Sequence, residues 1–184
     1  MNIIKKIRIC FLLVFIIGLA VGCSGEDTTP KEYSSASGKY ALTLPGNWVQ
    51  DTGASNEDML VAYSDEERTM SISIQRYDKE IAKDTMGLDS LERFQIYYQT
   101  NAFIAGLYSL ATVEEQEYTM TNMTKVMGEE LTSDDSNGTV IKAFQVVAES
   151  ENAYYGCTIT GEQEVYDKEI TALKEALSAL TEKS

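Results

Sequence analysis

Apolar residues recur along this chain in two rhythms, one of period two and one of three to four, and the changes between them divide it into elements. Tyr40, Leu42 and Leu44 alternate with Ala41 and Thr43, which predicts a half-buried strand. Pro45-Gly46-Asn47 follows as a turn into Trp48 and Val49, so the segment reads as a hairpin. A second strand is predicted at Met59–Tyr63. A third runs through Thr69–Arg76, with Met70, Ile72 and Ile74 on one side and Ser71, Ser73 and Gln75 on the other. The acidic Ser64-Asp65-Glu66-Glu67-Arg68 between them is an exposed connection.

The period then lengthens. From Asp89 to Leu110, Leu91, Phe94, Tyr98, Ala102 and Ala105 recur at spacings of three and four, which predicts one long helix, and Tyr97, Phe103, Ile104 and Tyr108 widen its apolar face. The acidic Glu114-Glu115-Gln116-Glu117 reads as a connection. Three more strands are expected at Thr124–Leu131, Thr139–Ala148 and Ala153–Thr160, the first two joined through Asn137-Gly138, a hairpin signal because both residues tolerate positive φ. The chain closes on an amphipathic helix, with Tyr166, Ile170, Leu173, Leu177 and Leu180 in one stripe and a mixed, non-basic polar face around them.

The first residues follow another pattern. Lys5, Lys6 and Arg8 precede an uncharged run from Ile9 to Gly22, which ends Leu19-Ala20-Val21-Gly22-Cys23. This order resembles the lipobox of bacterial lipoproteins, in which the cysteine thiol takes a diacylglycerol and the preceding peptide is removed. An uncleaved anchor is the alternative, but the 14 residues from Ile9 to Gly22 fall short of the roughly 17–25 that cross a bilayer. Ser24–Gly38 is polar and without periodicity, so it reads as a flexible tether. The chain thus divides into a signal at 1–22, a tether at 23–38 carrying the lipidated Cys23, and one domain at 39–184.

Charge and cysteine usage narrow the role. Of 15 basic residues three lie in 1–22, leaving 12 against 29 acidic ones, a mature net charge of −17. Such a surface repels nucleic acid and anionic headgroups, so the lipid tie holds a domain that stands off the bilayer. With Cys10 in the signal and Cys23 acylated, Cys157 is the last cysteine; in its strand-like run it reads as a buried hydrophobe. There is no histidine, which excludes Ser-His-Asp and Cys-His catalysis and imidazole metal sites. No cofactor or metal site is expected, and any calcium drawn to Asp65-Glu66-Glu67, Glu114-Glu115-Glu117 or Asp134-Asp135 should bind weakly.

The succession of elements resembles the PsbP-like family, which includes the extrinsic subunit of the oxygen-evolving photosystem, and the related DcrB-like bacterial lipoproteins. Tyr40-Ala41-Leu42-Thr43-Leu44-Pro45-Gly46-Asn47-Trp48, the Tyr154–Gly161 strand and the final helix carry the resemblance. It implies an α+β fold with a sheet of about six antiparallel strands and helices on both faces, and it makes Trp48 an inward plug. It also implies an adaptor or assembly role, with no functional residue to carry over. The expectation is a membrane-tethered extracytoplasmic module that binds an envelope protein; an envelope small-ligand-binding protein is the alternative, and an enzyme is the third class. An exposed patch of tyrosine and apolar residues would mark the first, a closed apolar pocket the second.

Overall fold

Ten strands and three helices form among the described residues, which in this computed structural model are 29–64, 68–100, 105–106, 108, 111–134 and 138–183. The signal and Cys23 lie outside them, as do 65–67, 135–137 and parts of the segment 101–110. Seven strands make one antiparallel sheet in the order β3 (Val49–Gln50), β4 (Met59–Tyr63), β5 (Met70–Asp78), β9 (Ala153–Glu162), β8 (Val140–Glu149), β7 (Lys125–Asp134) and β6 (Thr112–Gln116). A second sheet of three strands sets β2 (Tyr40–Leu44) between β1 (Lys31–Ser34) and β10 (Thr181–Glu182). The helices are α1 (Lys79–Met86), α2 (Leu91–Thr100) and α3 (Gln163–Ser178).

The α+β class, the antiparallel sheet and the helices on both faces agree with the sequence; three details differ. The Pro45-Gly46-Asn47 turn does not close a hairpin, because β2 pairs with β1 and β10 while β3 pairs with β4. It carries the chain from the small sheet to the large one, with Trp48 buried at the crossing. The large sheet therefore lacks β2 and gains β3 and β6, giving seven strands. The segment read as tether also gives up Lys31–Ser34 to β1. This polar strand is held by backbone pairing with β2, by the Tyr33 hydroxyl donating to the Trp48 carbonyl at 2.5 Å and by Lys31 Nζ donating to the Gly46 carbonyl at 2.9 Å.

Each face of the large sheet has its own core. On one face Ile72, Ile74, Phe144, Val146, Tyr155, Cys157 and Ile159 pack under α3 and the small sheet, against Leu42, Tyr166, Leu173 and Leu177. The Tyr40 hydroxyl crosses this core to donate to the Ile74 carbonyl at 2.8 Å. On the opposite face Val147 and Tyr154 meet α1 and α2 through Ala82, Phe94 and Tyr98. The Ser71, Ser73 and Gln75 side of β5 is thus covered as well, which is why Ser73 is buried. α1 begins directly after β5: Asp78 accepts the amides of Glu80 and Ile81, and Gly87, at φ 70°, ends the helix. The long helix expected from Asp89 is α2; Ala105, Gly106 and Tyr108 are helical too, while 101–104, Phe103 and Ile104 included, lie outside the described residues.

Candidate functional site

Thr112–Gln116 shows no alternation of apolar and polar side chains, yet it forms β6, the last strand of the large sheet. Four of its five residues are exposed, including Val113 at 41%. An edge strand needs only one neighbour and no buried face, so its sequence is free to be acidic. Among the described residues the outward backbone of β6 is unpaired.

Pairing with β7 gathers four carboxylates. Glu114 stands opposite Glu130 on the face shared with α3, and Glu115 opposite Glu129 on the face shared with α2. Like charges directly across an antiparallel pair destabilise it. The two inner carboxylates are compensated. Glu129 accepts from Gln95 Nε2 at 2.8 Å, from Gln99 Nε2 at 2.9 Å and from the Tyr108 hydroxyl. Burial, and then the Glu129 contact, raise the Tyr108 pKa, which keeps that hydroxyl a donor. Glu130 lies 3.5 Å from Lys174 Nζ, and this ammonium sits 3.9 Å above the Phe144 ring. The outer carboxylates, Glu114 and Glu115, have no ion-pair partner among the described residues.

Beyond the end of β6 the chain borders an open groove of about 500 Å³, between Glu117–Thr119 and the Thr171, Lys174, Glu175 and Ser178 side of α3. The Tyr118 hydroxyl donates to the Lys174 carbonyl at 2.5 Å and fixes the groove wall. Edge and groove follow one another along the chain. Together they offer unpaired backbone, carboxylates and an open channel.

The residues singled out from the sequence are dispersed. Trp48 is 4% exposed and belongs to the core. Cys157 is fully buried, and burial pushes its thiol pKa up, away from the reactive thiolate. Glu114, Glu115 and Glu117 lie on or beside β6, and Asp134 ends β7. Asp65, Glu66, Glu67 and Asp135 lie outside the described residues, as does Cys23. No group of three or more potential metal ligands occurs among the described residues, and no described helix is long and apolar enough to cross a membrane. Glu129 and Glu130 escape sequence reading, because only the register brings them to Glu114 and Glu115. Two buried polar groups escape it too. Arg76 is held beside Glu182 at 3.5 Å, and the Gln145 amide, 3% exposed, has no hydrogen-bond partner among the described residues.

Comparison with known proteins supports the fold. No family model matches the chain, and no curated protein matches it. The solution structure of cyanobacterial PsbP (CyanoP) from Synechocystis sp. PCC 6803 superposes with a TM-score of 0.53 at 13% identity, covering 89% of this chain and 98% of that one. A crystal structure from Bacteroides thetaiotaomicron gives a TM-score of 0.51 at 14% identity over 84% of this chain. The chain spans about half of that protein, 48%. The fold is PsbP-like.

Proposed function

We propose that this chain is an extracytoplasmic lipoprotein, anchored through Cys23, whose PsbP-like domain works as a protein-binding or adaptor module. The patch of tyrosine and apolar residues expected of a binding module is not what carries the reading, because no described tyrosine is exposed. The observation that carries it is the exposed edge of β6 running into the open groove beside α3. Sheet edges bind extended segments through their free backbone groups, and open grooves admit the rest of such a segment. A closed pocket would favour the small-ligand alternative; the groove between Glu117 and α3 is open instead. No reaction is assigned to the chain, since the Cys157 thiol is buried with its pKa pushed up by that burial and the sequence has no histidine to serve as general base.

The anchor sets the working distance. β1 begins at Lys31, so seven residues separate it from Cys23, and even fully extended they reach no more than about 29 Å. The domain is therefore held close above the bilayer. Its partner is expected there, in the membrane or bound to it.

Crosslinking in intact cells, with mass spectrometry of the adducts, tests the reading. A discrete envelope protein, joined to the wild-type chain and lost from Cys23→Ala, is the expected result. Crosslinks spread over abundant proteins without preference would overturn it. So would native mass spectrometry that finds the purified chain carrying a stoichiometric small molecule.

A further inference from the structure

We infer that β6 binds its partner by strand addition, and that the segment added is basic. This rests on the binding-module reading and names the chemistry of the partner. Among the described residues nothing pairs with the outward backbone of β6, which leaves it open to an eighth strand. The side chains of the edge then decide which strand fits.

Glu114 projects to one face, and Val113 and Glu115 to the other. A second copy of this chain fits badly. Two antiparallel β6 strands centred on Glu114 would set Glu114 against Glu114 and Glu115 against Val113, adding repulsion to a sheet that already opposes four carboxylates. An incoming segment with two cations in succession has the reverse effect. It places one cation across from each of Glu114 and Glu115, the two carboxylates that β7 opposes and that no described cation meets within ion-pair distance. Lys142, which feels the charge of Glu114, is engaged by Asp167 at 2.8 Å. An antiparallel partner reading Lys-Lys-Val would set its lysines against Glu115 and Glu114 and its valine against Val113. Acidity at the edge thus rejects self-association and selects a basic partner.

Charge alone would draw any cationic peptide to this domain, so the experiment separates charge from strand addition. The probe is a fluorescent peptide with a Thr-Lys-Lys-Val-Thr core, titrated into the purified chain. Two further peptides carry the same side chains but are N-methylated on alternate residues, in opposite phases. A strand uses the amides of alternate residues to pair with an edge. One phase should abolish binding while the other preserves it, and the parent peptide should slow amide exchange across Thr112–Gln116. Glu114→Gln with Glu115→Gln should weaken the parent peptide several-fold.

Equal binding of both methylated peptides would reduce the contact to attraction between opposite charges and overturn the inference. Slowed exchange confined to another surface would overturn it too. So would dimerisation of the purified chain through β6. In these cases a partner crosslinked in cells would still support the binding-module reading, so the two fail separately.

Discussion

The ring of Tyr98 lies against the backbone of Gly156, so close that a Cβ at Gly156 would fall 2.2 Å from the ring Cε2. β9 gives up a side chain here so that α2 can approach the sheet, and the Tyr98 hydroxyl reaches Thr158 Oγ1 at 3.1 Å. Gly156→Ala should therefore destabilise the domain by about 1–3 kcal/mol, as overpacking does. Because one contact is at fault, Tyr98→Ala combined with Gly156→Ala should cost less than the two separately. Denaturant midpoints of the three variants check this; strict additivity would mean that the ring moves aside freely.

Trp48 sits where the chain passes from one sheet to the other, its carbonyl held by Tyr33. Trp48→Ala should lower stability by about 3–5 kcal/mol, the usual cost of truncating a buried aromatic. Circular dichroism in denaturant provides the measurement. A loss under about 1 kcal/mol would place the ring outside the core.

The acidic edge should show a conflict between stability and binding. Glu115→Lys replaces a repelling cross-strand pair by an attracting one, a change of up to about 1 kcal/mol in favour of the fold. The same substitution should weaken the basic peptide. A variant that melts higher and binds less is the mark of residues held against stability. If Glu115→Lys melts lower, Glu115 and Glu129 do not oppose each other.

Much of the fold was legible in the sequence, and the exceptions share a physical cause. β2, β5 and α3 bury apolar residues at regular spacing and β4, β8 and β9 bury apolar runs, both of which pattern reading detects. β7 buries only Gly128 and Leu131 and is marked chiefly by the hairpin signal Asn137-Gly138 after it. β1 and β6 bury almost none, because an edge strand is held by its backbone, and KEYS and TVEEQ therefore looked like loops. α1 buries only Ala82; its signature was Asp78 before it and Gly87 after it, not a stripe. The candidate site was less legible still. Glu114 and Glu115 stood out as an acidic run, but their apposition to Glu130 and Glu129 is a matter of register, which no local pattern encodes.

Alkali should unfold the domain. Burial raises the pKa of Cys157 and of Tyr40, Tyr98, Tyr118 and Tyr155 above their ordinary values of 9.0 and 10.0. Between the ordinary and the raised value the native state keeps a proton that the unfolded chain has lost. The stability these groups contribute is thus intact below about pH 9 and falls as pH rises, by about 1.4 kcal/mol per pH unit for each such group. Melting temperatures should hold from neutrality to about pH 9 and then drop steeply. A flat profile to pH 11 would mean that these groups ionise inside the fold.

The role proposed for the domain depends above all on the lipid at Cys23. Mass spectrometry of the protein extracted from its own membranes tests this directly. The predicted result is a chain that begins at Cys23 and carries diacylglycerol in thioether linkage on that sulfur. A chain that still joins residues 1–22 to an unmodified Cys23 thiol would contradict it.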